Sequence, residues 1–298
     1  MNRLAMLAVP IALVLASCGS SGEVAATVNG EEITADVTAQ LAGEDATPEV
    51  QAQALGTLVQ WSITAQAAKE QFGFEPTEDE IQAEVDGIVT LAGAESLSAL
   101  AETEGVSEDI LRRYITQLMI QDAVNAELEA VIPQPADEAV TAELVDNAPD
   151  WTVVCAAHLL VETEEEALAA LARAGDGEDF GAIAAEVSTD TASATNNGDL
   201  GCAAAGGFVD AFAEAAMTAE IGVLTGPVQT ELGYHVVLVN SREIATTDQV
   251  REALVTTAVS EAADAWFVDA MRAANVVITD GFGTWVTEPT PAVVPPVS

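Results

Sequence analysis

The sequence predicts an α+β protein in which a compact α/β module interrupts a mainly helical framework formed by both chain ends. Three observations point there. Apolar residues recur at helical spacing in both flanks, at Leu55, Val59 and Ile63 and again at Val250, Leu254, Ala258, Ala262 and Trp266. The texture turns to a β-rich run over Thr152 to Val161 and returns to helical after Arg242. Finally, 298 residues of which 50% are hydrophobic leave room for a core in each part. Helices that bare an apolar face on one side of an insert need a partner, and the other flank supplies it.

Residues 1–17 have the form of an export signal, with Arg3 near the start, an apolar stretch from Leu4 to Leu15, and small residues before Cys18. The stretch is shorter than the ~20 residues that a bilayer span takes. Leu15-Ala16-Ser17-Cys18 resembles a bacterial lipobox. That resemblance implies acylation of Cys18 as the first mature residue, with 18–23 as a flexible tether to the membrane.

Residues 24–150 read as the first helical part. Val24 to Val28 forms a strand, Asn29-Gly30 a tight turn, and Glu31-Glu32-Ile33 the return. Thr34 caps a short helix. Thr47-Pro48 opens a long one that stops near Gly73. Thr77 and Glu80 make a capping box for the next, which carries Ile81, Val85 and Ile88. Ser107 caps another, with Leu111, Tyr114, Ile115 and Leu118 expected on its inner side. A shorter helix follows the prolines at 133 and 135, around Val140 and Leu144.

Residues 151–243 form the insert. After the strand over Thr152 to Val161 come helices over Glu164 to Ala174 and around Phe180 to Val187. Ser188 to Asn197 is a polar loop, Phe208 to Met217 looks helical, and Tyr234 to Asn240 is a strand. Residues 244–286 supply the returning helix and a short strand at Val276 to Ile278, packing on the first helical part. Residues 287–298 are proline-rich and read as an extended tail.

There are 49 acidic residues against 8 basic ones, a net charge of -41. Such a chain is repelled by nucleic acid, whose binding rests on Lys and Arg meeting phosphates. The simpler reading of the acid excess is solubility in salty surroundings; the functional one is attraction for basic or unfolded chains. With Cys18 set aside, Cys155 and Cys202 remain. In an exported protein they either pair as a disulfide or stay as two buried thiols. Two cysteines and two histidines this far apart match no zinc-ligand spacing, so no metal or other cofactor is expected.

The chain has two histidines, and both lie in one block. It runs through Ala157-His158-Leu159-Leu160-Val161, Asp179-Phe180, Val187-Ser188-Thr189-Asp190, Gly198-Asp199-Leu200-Gly201 and the stretch from Phe208 to Phe212. It closes with Gly226-Pro227-Val228-Gln229-Thr230 and Gly233-Tyr234-His235. In that order these motifs resemble a parvulin-type peptidyl-prolyl isomerase domain. The resemblance implies a four-stranded antiparallel sheet with surrounding helices. It implies that Leu200, Phe208 and Phe212 line a proline slot. It also implies that His158, His235 and Thr230 share a hydrogen-bond network beneath that slot, and that Asp190 stands close to the substrate carbonyl. An acidic stretch from Glu162 to Glu166 disfavours phosphorylated substrates.

The Val-Asn-Gly-Glu-Glu-Ile-Thr run within Val24 to Val37 is similar to the start of exported foldases of the SurA and PrsA type, in which a helical chaperone domain brackets a parvulin domain. Together the resemblances imply an extracytoplasmic isomerase and foldase, lipid-anchored at the outer face of the cytoplasmic membrane or in the cell envelope. Its partners are newly exported polypeptides bearing Xaa-Pro bonds. The chain departs from the isomerase pattern at Ala157, where serine is common, at Ala203, where an aromatic is common, and at Ala211, where proline is frequent. Those departures keep a second reading in view, a holdase or binding lipoprotein whose parvulin fold no longer catalyses.

Overall fold

The computed structural model describes residues 22–43, 45–288 and 290–296. Residues 1–17, Cys18 and most of the 18–23 tether fall outside the described residues. Strands β1 (Val24–Val28) and β2 (Glu31–Thr34) pair as an antiparallel hairpin. Asn29 and Gly30 take φ of 50° and 94°, which a tight hairpin turn requires. The next three helices begin on threonine caps. The Thr34 side chain accepts from the Val37 N–H at the start of α1 (Ala35–Ala42), and Thr47 does the same for Val50 at the start of α2 (Pro48–Phe72). Thr77 and Glu80 close a capping box on α3 (Glu78–Leu91). Helices α4 (Leu97–Glu104), α5 (Glu108–Val131) and α6 (Asp137–Asp146) follow.

The insert contributes β3 (Thr152–Val161), α7 (Glu164–Gly175), α8 (Phe180–Val187) and α9 (Thr191–Ala194). It continues with β4 (Asp199–Ala204), α10 (Asp210–Thr218), β5 (Leu224–Thr230) and β6 (Gly233–Ile244). The chain then runs through α11 (Thr247–Ala273), β7 (Val276–Ile278), β8 (Thr284–Val286) and β9 (Ala292–Val294).

Two compact units result. One consists of the described parts of Met1–Val131 and Ser260–Ser298. Its three-stranded sheet has the order β2-β1-β7, so a strand from each chain end shares one sheet. Val28, Leu55, Val59, Ile63 and Met271 fill its core. The other unit, Ile132–Val259, is built on an antiparallel sheet of order β4-β3-β6-β5. Successive side chains of a strand point to opposite faces. Leu159, Val161 and Val236 therefore meet α7 and α8 on one face, while Val154, Ala156, Val237 and Val239 meet α10 on the other. This is the four-stranded sheet that the resemblance implies.

Four expectations are corrected. The insert is larger than residues 151–243, because α6 and the start of α11 belong to it. The Arg251 guanidinium donates to the Pro135 carbonyl at 2.7 Å and to Asp137 at 2.8 Å, and Val140 and Val250 are fully buried. Residues 287–298 are not simply an extended tail. Within them β9 pairs with β8, and Val293 joins the core of the first unit. Tyr114 is not on the inner side but half exposed at 48%, its ring 6.3 Å from that of Trp61 on α2, while Ile115 beside it is buried with Val85 and Leu97. Finally, the polar loop from Ser188 to Asn197 contains the short helix α9, capped by Asp190.

Candidate active site

His158 lies on β3 and His235 on the neighbouring β6, where His158 pairs with Val237 and Leu160 with His235. This register sets both imidazoles on the sheet face that α10 covers. Their rings stack with centroids 5.2 Å apart, and the two Nδ1 atoms are 3.0 Å apart. Both residues are buried.

The network extends from each ring. His158 Nε2 lies 2.8 Å from Asp190 Oδ2, and His235 Nε2 lies 2.8 Å from Thr230 Oγ1. Thr230 Oγ1 also accepts the Leu232 N–H. With Asp190 ionised and both rings neutral, the donors align in one direction. The Thr230 hydroxyl donates to His235 Nε2, His235 Nδ1–H donates to His158 Nδ1, and His158 Nε2–H donates to Asp190. This tautomer assignment follows from hydrogen-bond satisfaction.

Electrostatics support the ionised Asp190. Its carboxylate accepts from Ser193 Oγ at 2.6 Å and from His158, which holds its pKa down at about 2. Burial lowers His235 to about 4, and the neighbouring His158 adds to the effect. Sequence reasoning missed Ser193. It is 5% exposed and bridges Asp190 and His158, with its Oγ 3.2 Å from His158 Nε2. Its one sequence signal is a position one helical turn after Asp190, hidden in a stretch that reads as a loop.

Phe212 caps the imidazole pair, its ring edge-on to His158 at 5.7 Å and to His235 at 5.4 Å. Phe208 leans on Phe212 with centroids 4.9 Å apart. Leu200, Phe208, Met217 and Val228 pack partly exposed against the cluster that contains Phe212. The structure thus brings together His158, Asp190, Leu200, Phe208, Phe212, Thr230 and His235. Leu200 comes from β4, Phe208 from the segment before α10, and Val228 from β5, so the apolar floor needs the whole sheet. Cys155 and Cys202 are directly paired across β3 and β4, with their sulfurs at bonding distance. Cys18 lies outside the described residues. Among those residues, no group of three or more His, Cys, Asp or Glu side chains is placed to hold a metal ion. The arrangement offers a partly exposed apolar patch of Leu200, Phe208 and Val228 over a polar, hydrogen-bonded base, with the Asp190 carboxylate at its side; Phe212, expected to line the slot, is buried beneath the patch and supports it instead.

The profile of the family described as "Rotamase: PPIC-type PPIASE domain" matches residues 158–241. The chain is 31% identical over 229 residues to "Foldase protein PrsA" of Halalkalibacterium halodurans, covering 76% of this chain and 67% of that one. To "Foldase protein PrsA" of Oceanobacillus iheyensis it is 30% identical over 231 residues, covering 76% and 71%. A crystal structure of peptidylprolyl isomerase (PrsA) from Bacillus anthracis aligns with 72% of this chain and 96% of its own, at 19% identity and a TM-score of 0.37.

Proposed function

The chain belongs to the PrsA foldase family and is a parvulin-type peptidyl-prolyl cis–trans isomerase that acts on polypeptides, and from that premise we propose that it turns Xaa-Pro bonds of newly exported chains at the His158–His235 site. The observation that carries this is the unbroken network from Asp190 through both imidazoles to Thr230, beneath the partly exposed apolar patch of Leu200 and Phe208 that packs on Phe212.

The chemistry demanded is modest. Rotation about an Xaa-Pro bond crosses a barrier of ~18–20 kcal/mol, because the planar amide is a partial double bond. Planarity places negative charge on the carbonyl oxygen, and twisting removes part of it. A site lowers the barrier when it favours the twisted amide over the planar one. The apolar slot takes the pyrrolidine ring and withdraws the amide from water. Asp190, held ionised at the edge, opposes negative charge on the planar carbonyl. The buried histidines are positioning residues that fix Asp190 and the sheet face. No covalent step is required.

The same reading places the protein outside the cytoplasm, anchored through Cys18, with residues 1–17 removed on export. Among the described residues, no helix is long and apolar enough to cross a membrane. In that oxidising setting Cys155 and Cys202 are joined.

The test measures cis-to-trans exchange of a short unphosphorylated Ala-Pro peptide. The wild-type mature protein is expected to accelerate it, and Asp190→Ala and Phe208→Ala each to lose about tenfold or more. No acceleration by the wild type would leave only a holdase. For the anchor, Cys18→Ser is expected to release the protein into the medium or leave it unprocessed. Unchanged membrane retention refutes acylation there.

A further inference from the structure

We propose that a groove beside the proline slot is the subsite for a residue flanking the substrate proline, and that it selects a lysine or arginine at that position. This rests on the isomerase reading above. The groove has a volume of about 800 Å³ and lies between the start of α10 and the β5–β6 turn. Val209, Ala211 and Leu232 give it apolar walls, and Asp210 and Glu231 bring two carboxylates to it.

Continuity with the slot comes from both sides. Thr230 lines the groove and also bonds His235. Val209, Asp210 and Ala211 are the three residues between Phe208 and Phe212. Phe208 is the partly exposed member of that pair, so a proline ring seated against it has the groove as its neighbour.

The lining suits one kind of side chain. Val209 is 47% and Leu232 66% exposed, which is apolar surface left open beside a binding site. A Lys or Arg side chain lays its methylene stem on such surface and keeps its charged head at the polar edge. There it meets Asp210 and Glu231, which have no hydrogen-bond or ion-pair partner among the described residues. No basic residue lines the groove. An acidic side chain at the same position is repelled by both carboxylates.

The experiment compares kcat/KM for peptides Ala-Xaa-Pro-Phe and Ala-Ala-Pro-Xaa, with Xaa as Lys, norleucine or Glu, at low and high salt. Norleucine keeps the stem and removes the charge. At one of the two positions Lys is expected to exceed norleucine by about fivefold at low salt, with Glu slowest. The ratio should fall at high salt. In the Asp210→Asn/Glu231→Gln variant the Lys-to-norleucine ratio should drop to near one. Because the ratio is taken within one variant, partial misfolding does not affect it.

The whole chain is acidic enough to draw basic peptides without any subsite. Glu164→Gln/Glu165→Gln, on α7 at the opposite face of the sheet, controls for that and should preserve the ratio. Equal rates for Lys and norleucine in the wild type overturn the subsite, as does an equal loss of the ratio in the α7 control. Norleucine peptides that turn over without any Lys preference leave the isomerase reading standing. No acceleration of any peptide removes that reading and the subsite with it.

Discussion

His235 sits where a proton is costly. Phe212 shuts it from water on one side and a second imidazole faces it on the other, which together hold it neutral down to about pH 4. An unfolded histidine takes its proton near pH 6.5. Between those values the unfolded chain binds a proton that the folded chain refuses, so stability falls as pH falls through this window, by up to about 3 kcal/mol. Asp190 adds a second and lower window. Its folded pKa of about 2 lies below the usual 3.8, so its contribution is lost as pH drops through that range. With two histidines in the chain, NMR of the imidazoles resolves the first effect directly. One ring is expected to titrate near pH 4, and Phe212→Ala, which admits water, should raise that midpoint. A wild-type His235 midpoint near 6.5, or one that Phe212→Ala does not move, would refute a buried, neutral His235.

At the scale of elements, β4 is held by two devices that differ in kind. Gly198, just before it, has φ of 79°, and its carbonyl accepts the His158 N–H at 2.8 Å. A Cβ there would collide with the His158 carbonyl oxygen. Gly198→Ala should cost about 1–3 kcal/mol from the backbone dihedral alone, and more from the clash. A urea midpoint equal to wild type would sink that expectation. The Cys155–Cys202 bond closes a sequence separation of 47 residues, which on the chain-entropy model stabilises the fold by ~4 kcal/mol. Cys155→Ser/Cys202→Ser should lose a comparable amount under oxidising conditions and nothing further under reductant. Equal stability of variant and oxidised wild type would refute it.

The same elements show what the sequence made legible. Helix starts at Thr34, Thr47 and Thr77 were readable because capping is settled within a few residues. Strands β4 and β5 carry no clean alternation. Each lies at a sheet edge with most side chains half-exposed or exposed, and both came into view through the order of motifs alone. Ser193 was hidden because its partner His158 is 35 residues away. Strand β9 was masked by the prolines that flank it, at 291, 295 and 296, and by a run of three residues, too short to show a period. The edge of the insert was illegible for another reason. The apolar period of α11 runs unbroken from Val250 to Trp266, across a division that falls at Val259.

For the molecule as a whole, charge is the dominant strain. Every described basic side chain is already engaged. Lys69, Arg112, Arg113, Arg173, Arg251 and Arg272 pair with carboxylates, and Arg242 bonds the carbonyls of Ala216 and Ala219. These pairs are largely exposed at the surface, and such pairs contribute little each. Among the described residues they leave most carboxylates without a cationic partner, and a net charge of -41 opposes compaction. Salt shortens the reach of that repulsion, from a Debye length of about 8 Å at 0.15 M to about 3 Å at 1 M. Screening also weakens the surface pairs, so the two effects have opposite signs. With so few pairs and so large an excess, repulsion should win. The apparent Tm is therefore expected to rise by about 5 °C or more between 0.05 and 1 M NaCl, and by a similar amount in KCl. Sucrose at equal osmolality tests whether the gain is ionic, because exclusion from the surface stabilises without screening charge. A Tm that stays level or falls with salt, or that sucrose raises as much as salt does, would show that self-repulsion is not what limits this fold.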